Sequence, residues 1–305
     1  MRYSLRQIEV FLAIAHHENV SRAAEQLALS QSAASGALKD LESQFDTLLF
    51  DRLGKRLKLN QQGRAIQAKA EALIAQAKAL QNALSQNSEL GDLNIGATVT
   101  IGNYLLVDLM ARYQQQAQNA RIQLDIANTE SIVRELLNFD IDVGMLEGET
   151  QHPELEIHPW RTDNLLCFCA PEHPLAKQST VSIDELINDH WILREPGSGT
   201  RQAFDRAMHG YLSQLHIAFE FDHTEVIKQA VSRRLGIGCL SDIALEEDIN
   251  HGRLVALNCP QLDFSRQLYI AIHRQKFRTA SLEHWLNLCG WQEHSFEVIY
   301  APPIS

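Results

Sequence analysis

"SRAAEQLALSQSAASGALKDLE", Ser21 to Glu42, is rich in alanine and serine and poor in bulky side chains. Two helices that cross closely and keep one face low would look like this. The spacing predicts a helix from Ser21 through about Leu27, with Ser21 at the N-cap and Glu25 close behind. A turn follows at Ala28–Ser30, and Ser30 is placed to cap the next helix. In that helix Ala34, Leu38 and Leu41 share the core face. Gln31, Ser32, Ser35, Gly36 and Lys39 form the opposite one, which is short and polar. Upstream, Leu5, Ile8, Phe11, Leu12 and Ala15 make one more helical stripe. Helix, tight turn and helix with a small polar outer face fit a DNA-reading helix-turn-helix. They equally fit a helical hairpin whose polar face is only solvated.

The next stretch favours the first reading. "LLFDRLGKRLKLN", 48–60, alternates like a short hairpin with Gly54 at its turn. Arg52, Lys55, Arg56 and Lys58 gather there, as in the phosphate-contacting wing of a winged helix. A solvated charge run and, for Arg52, a structural ion pair are the alternatives. From Asn60 to about Asn87 one long helix is expected. Ile66, Ala70, Leu73, Ala77, Leu80 and Leu84 step by four and three residues, a heptad seam suited to a dimer. "SQNSELGD", 85–92, reads as a linker.

The 305-residue chain is long enough for two or three domains. Charge is unevenly spread. Residues 1–64 hold nine Lys/Arg and seven Asp/Glu, whereas the remaining 241 hold 18 and 31. An acidic body repels DNA, so nucleic-acid contact belongs to the N-terminal segment. The five cysteines, Cys167, Cys169, Cys239, Cys259 and Cys289, are odd in number and scattered, as for buried free thiols. No apolar run has membrane-span length and no signal-peptide pattern opens the chain, so a cytoplasmic location is expected.

Beyond Leu93, "LNIGAT", "RIQLDIA", "IDVGMLEG", "LLCFCAP", "HWILRE", "HIAFEF", "GIGCLS" and "QLYIAIHR" are strand candidates. Helical patterns lie between most of them, which predicts an α/β region with largely parallel sheets. Catalytic motifs fall short. Pro196 stands where a nucleophile elbow around Ser198 needs glycine, and Ser241 replaces the last glycine of a dinucleotide loop. No cofactor, metal or catalytic residue is expected. A freestanding solute-binding module or an enzyme built on the α/β region would leave residues 1–87 unexplained.

Together these segments resemble the LysR-type transcriptional regulators. Ser21–Glu42 looks like that family's helix-turn-helix, and "LLFDRLGKRLKLNQQG" like its wing and linker-helix start. Later stretches, "IGNYLL", "IDVGMLEGE", "HWILREPGSGTR" and "IGCLS", look closest to the YeiE-type subgroup, near the regulators of sulfur assimilation. The resemblance implies a winged helix-turn-helix (1–60), a dimerising linker helix and linker (61–90) and an effector domain like a type 2 periplasmic binding protein (91–305). That domain would have lobe I at 91–161 and 266–305 and lobe II at 162–265, with crossovers near Arg161 and Ser265. Promoter DNA would meet Ser21, Arg22, Gln31, Ser32, Ser35, Gly36, Lys39, Arg52, Lys55 and Arg56. Gly36 departs from many relatives, which carry a longer polar or basic side chain there. The assembly would be a homodimer or homotetramer.

Two hydroxyl-rich stretches each follow a strand and open a helix. They contain Thr98, Thr100, Ile101 and Gly102, and Ser198, Gly199, Thr200 and Arg201. By the resemblance they face one cleft from opposite lobes. Free N–H groups and hydroxyls there suit a small anion, sulfite or sulfate first by the subgroup and a small carboxylate second. Thr129, Glu130, Ser131, Glu147, Thr224 and Glu225 are further wall candidates. The same Ser and Thr residues would also serve as plain helix caps.

Overall fold

The computed structural model describes residues 2–54, 56–84, 90–117 and 120–291. Lys55 and positions 85–89 of the expected linker lie outside them.

Three helices open the chain: α1 (Leu5–His17), α2 (Val20–Gln26) and α3 (Gln31–Gln44). Ser4 and Gln7 close a reciprocal capping box on α1. Asn19, not Ser21, caps α2, accepting from the Ser21 and Arg22 amides. Asparagine at this position is as good an N-cap as serine, so the helix starts earlier than expected, and Ser21 is exposed. Ser30 caps α3 as its spacing implies. Ala23, Ala24 and Ala34 are buried with Phe11, Ile14, Leu38 and Leu41, so small side chains do let the helices cross closely.

The hairpin β1 (Phe50–Leu53) and β2 (Arg56–Leu59) pairs antiparallel. Gly54 turns it at φ +63°, a left-handed conformation that glycine adopts without penalty. Two backbone-directed bonds seat the hairpin on the helices: Leu49 N–H donates to Glu42, and Leu57 N–H donates to the Glu18 carbonyl.

Helix α4 (Gln61–Leu84) then runs 24 residues. Its seam is divided. Ala70 is buried, and Ile66 and Leu73 pack on the core formed by α1 to α3. Leu80 and Leu84 are 63% and 77% exposed.

The α/β region begins with β3 (Leu93–Thr98), α5 (Val99–Tyr104), α6 (Leu106–Gln116), β4 (Ile122–Ala127), α7 (Thr129–Leu137) and β5 (Val143–Glu147). Strand β6 (Leu155–Cys169) follows, then α8 (Ile183–Ile187), β7 (His190–Arg194), α9 (Gly199–Ala207), β8 (His216–Phe221) and α10 (Thr224–Ser232). The last elements are β9 (Ile237–Ser241), α11 (Asp242–Asn250), β10 (Val255–Leu257), β11 (Ser265–His273) and α12 (Ala280–Leu288).

The strands lie in the order β4-β3-β5-β11-β6-β9-β7-β8, with β10 also on β6. The pairs β3/β4, β3/β5, β7/β8 and β7/β9 are parallel. The four others, β5/β11, β6/β11, β6/β9 and β6/β10, are antiparallel. The expectation of largely parallel sheets is therefore corrected, because the two long crossing strands run against their neighbours.

Those strands join two lobes. Residues 155–164 of β6 pair with β11, and 165–169 pair with β9 and β10. Each lobe has its own core: Leu93, Ile95, Tyr113 and Trp285 in the first, Trp191, Phe204 and Leu186 in the second. A bulge near Leu268/Tyr269 sits opposite Pro159–Arg161. At the crossover itself Arg266 is the register partner of Asp163.

Candidate functional site

The N-terminal head presents one polar surface. Gln31, Ser32, Ser35 and Lys39 of α3 are all exposed, as are Ser21 and Arg22 at the start of α2. Beyond them the hairpin exposes Arg52, Arg56 and Lys58. Among the described residues none of these three forms an ion pair, Arg52 included, which leaves them available to phosphates. A Cβ placed on Gly36 would meet nothing within 4 Å. The glycine is therefore not demanded by packing inside the head.

Between the lobes the expected cleft residues converge, but on a group of the chain's own. Glu147, at the end of β5, is 1% exposed. Its Oε1 accepts from the Thr100 amide at 2.7 Å and from the Ile101 amide at 3.4 Å. Its Oε2 accepts from the Thr200 hydroxyl at 3.0 Å and from Arg266 at 2.8 Å. Thr100 comes from the first lobe and Thr200 from the second, so one carboxylate ties the two. Thr98 reaches the Met145 carbonyl, and Thr129 donates to the backbone carbonyl of Glu147 at 2.8 Å.

Arg266 completes the network. Its Nε lies 2.6 Å from Asp163 Oδ2, and Ser241 donates to the other Asp163 oxygen at 2.8 Å. Burial alone would push the Glu147 carboxyl upward. The Arg266 charge and the bonds from Thr98 and Thr200 outweigh it and hold the group down at about 2. Desolvation likewise works against the Arg266 charge, and its two carboxylate partners more than restore it.

Close approach of the lobes is built into the backbone. A Cβ on Gly199 would stand 2.1 Å from the Glu147 carbonyl oxygen, so only glycine fits at the first position of α9. Ser198 caps that helix through the Thr200 amide. Arg201 points away from the cradle, held by Asp205, Glu220 and the Arg194 carbonyl. Ser131 is engaged at the start of α7, where its amide is capped by Asn128. Gly102 packs under Ile126.

At the cleft's other end Tyr104 donates to Glu225 at 2.9 Å, and Lys228 joins Glu225 to Asp248. Burial and the bond to Glu225 push the Tyr104 hydroxyl up to about 12. Thr224 is buried, and its hydroxyl has no partner among the described residues. Beside the cradle a cavity of about 430 Å³ is lined by Thr129, Glu130, Ser198, Gly199 and Gln202, among others.

Sequence reasoning did not single out Arg266 or Asp163, and it met Ser241 only as the residue that breaks a dinucleotide-loop pattern. Arg266 did leave a trace, as the one cation within the otherwise apolar alternation of "SRQLYIAIH".

A winged helix-turn-helix head carried on a two-lobed, periplasmic-binding-protein-like domain defines a class of ligand-responsive DNA-binding proteins. Residues 5–64 match the bacterial regulatory helix-turn-helix of the lysR family, and residues 86–292 match the LysR substrate binding domain. The chain belongs to the LysR family of transcriptional regulators.

It is 38% identical over 289 residues to the uncharacterised HTH-type transcriptional regulator YeiE of Escherichia coli strain K12, covering 95% of this chain and 98% of that one. A full-length OxyR variant from Pseudomonas aeruginosa superposes with a TM-score of 0.68 at 20% identity, covering 94% of this chain and 96% of that one. The Synechocystis PCC6803 CcmR regulatory domain, solved in complex with 2-PG, gives 0.61 at 25% identity over 67% of this chain and 99% of that one. Among the described residues no helix is long and apolar enough to cross a membrane.

Proposed function

We propose that this regulator binds promoter DNA through α3 and the wing, dimerises through the distal part of α4, and responds to a small anion bound between its lobes. Lobe I comprises 91–161 and 266–305, and lobe II comprises 162–265. The protein acts in the cytoplasm and is not an enzyme. Sulfite or sulfate is the first effector in this reading, and a small carboxylate the second.

One observation carries the effector reading. Two backbone amides, a threonine hydroxyl and a guanidinium already converge on a carboxylate, that of Glu147. Donors fixed in this way favour a negative group whether it belongs to the chain or to a ligand. An oxyanion would take the donors as the Glu147 side chain moves aside, and would tie the lobes as Glu147 does now. The CcmR regulatory domain, solved in complex with 2-PG, supports a small ligand for this domain.

Calorimetry with sulfite and sulfate tests the reading in the parent, Thr100→Val and Thr200→Val proteins. A hydrogen bond to a charged group is worth about 1.5–3 kcal/mol, so Thr200→Val should weaken binding roughly 10- to 100-fold. The main donor on the other lobe is the Thr100 amide, which valine retains. Thr100→Val should therefore cost less, through the Thr100 hydroxyl facing Arg266 at 3.5 Å. Equal affinity in all three proteins would refute the cleft assignment.

A further inference from the structure

Lobe I meets the head just past the end of α7, and neither DNA reading nor effector binding uses that contact. Gln67 of α4 donates to the Asn138 carbonyl at 3.1 Å. His16 Nδ1, from α1, meets Asp140 Oδ1. The two side chains are 45% and 20% exposed, so solvent protons reach both.

The backbone aims Asp140 at the head. Helix α7 ends at Leu137, and the Asp140 amide folds back on the Glu135 carbonyl at 2.9 Å. Between them Phe139 takes φ +62°, a left-handed conformation that a bulky residue rarely enters. Its ring is buried against His273, with centroids 4.1 Å apart, and Lys276 Nζ stands 5.9 Å from it. Strain of this kind persists where the surroundings fix it, and it marks switch regions. The other end of α7 lies at the cradle, where Thr129 opens the helix and donates to the Glu147 carbonyl at 2.8 Å. One nine-residue helix thus spans from the cleft to the head.

We propose that His16 and Asp140 form a pH-gated latch that docks the head on lobe I. Shut, the latch makes α1, α4 and lobe I move as one body. Open, it leaves the head more weakly tied to the lobe. A link from the latch through α7 to the cleft rests on the effector reading above, whereas the latch itself does not.

The charges around His16 set the direction of the gate. His16 stands in the last turn of α1, where the helix dipole favours a cation. Its hydrogen bond to Asp140 raises the imidazole above its ordinary 6.5, burial opposes this, and the charges of Asp140 and of Glu71 on α4 add to it. His17, on the same helix, sets its ring 4.5 Å from that of His16 and is bonded to Gln26. On lobe I, Lys276 is paired with Asp142 at 2.8 Å. A cavity of about 770 Å³ beside the pair adds Glu18, Arg22, Arg56, Lys58 and Arg64 from the head, and Glu154 and His273 from lobe I. The stronger pair is the protonated one. Docking is therefore fully favoured below about pH 6.5 and is lost as pH rises through the raised value.

Hydrogen exchange of the full-length protein tests the latch, with no effector or DNA present. Parent, His16→Gln and Asp140→Asn are compared with one another at about pH 6 and again at about pH 8.5. At the lower pH, peptides covering 12–19 and 137–142 should exchange roughly threefold more slowly in the parent than in either variant. At the higher pH the three proteins should coincide. Glu71→Gln should keep the parent's behaviour at both. Equal exchange in parent and variants at the lower pH, or the same difference at both pH values, would overturn the proposal. So would a Glu71→Gln protein that loses the protection while Asp140→Asn retains it. Should His16→Gln loosen α3 as well, Asp140→Asn, which lies outside the head, decides.

Discussion

Glu147 Oε2 and Arg266 lie 2.8 Å apart with both side chains 1% exposed, across the strands where the chain passes between lobes. Removing one member of such a pair leaves a buried charge unmatched, which costs about 3–5 kcal/mol. Arg266→Met should therefore lower stability by that order, and thermal melts at neutral pH check it. Acid should reveal the same link. The folded-state value of Glu147 lies below its ordinary 4.5, at about 2. Its stabilisation is then complete above about pH 4.5 and is lost as pH falls towards 2. The gap in melting temperature between the parent and Glu147→Gln should narrow through that window. A gap constant down to pH 3 would place the stabilisation elsewhere.

If Gln31 reads a base, Gln31→Ala should weaken specific DNA binding by roughly 1–3 kcal/mol and leave non-specific binding nearly untouched, since the change removes no charge. Fluorescence anisotropy on promoter and scrambled duplexes compares the two. An equal loss on both would mean that Gln31 does not read bases.

Gly36→Ala gives a cleaner separation of fold from function. The site is helical and open, so alanine should stabilise the head by up to about 1 kcal/mol. If the promoter backbone or a base edge sits against Gly36, the same variant will bind DNA more weakly while melting higher. A melting temperature below the parent's would contradict the open space.

Arg52→Ala combined with Arg56→Ala should weaken binding on any sequence. It should also flatten the dependence of log K on log salt by about one unit for each phosphate no longer neutralised. Titrations from low to moderate salt measure the slope, and an unchanged slope would remove the hairpin from the DNA interface.

The divided seam of α4 makes two leucines behave differently. Leu73 packs on the head, so Leu73→Glu should destabilise the head itself. Leu80 is exposed within the protomer, so Leu80→Glu should leave its melting intact and shift the sedimenting species towards monomer. A dimer persisting in Leu80→Glu would assign dimerisation to another surface.

Much of this arrangement was legible in the residues, and the exceptions have physical reasons. The head was readable because its order is local: caps, an apolar stripe and a glycine turn each act within a few positions. Seven of the eight strand candidates correspond closely to strands, and "LLCFCAP" marks only the end of β6. The first part of β6 was obscured by "EIHPWRTDN", where a proline and a bulge break the alternation. Strand β10 spans three residues, too few to show a period. The cleft stretches were visible as hydroxyls following strands. The hub between them was not, because Arg266 and Asp163 are 103 positions apart and meet only through the register of two crossing strands. The reach of α4 was legible, but not its division, since a heptad seam looks alike whether it faces a second copy or its own head.

If the effector takes the donors that Glu147 holds, the carboxylate lodged among Thr100, Thr200 and Arg266 would also set how sensitive the regulator can be. On the proposed effector reading, a seated Glu147 would compete with the ligand for the same donors. A ligand that binds only the vacated cradle then has an apparent dissociation constant equal to its intrinsic one divided by the fraction of molecules with Glu147 withdrawn. Every tenfold change in that fraction moves half-saturation tenfold. Residues that merely hold Glu147 in place, such as Asp163 behind Arg266, would then tune the concentration at which the switch responds without touching what binds.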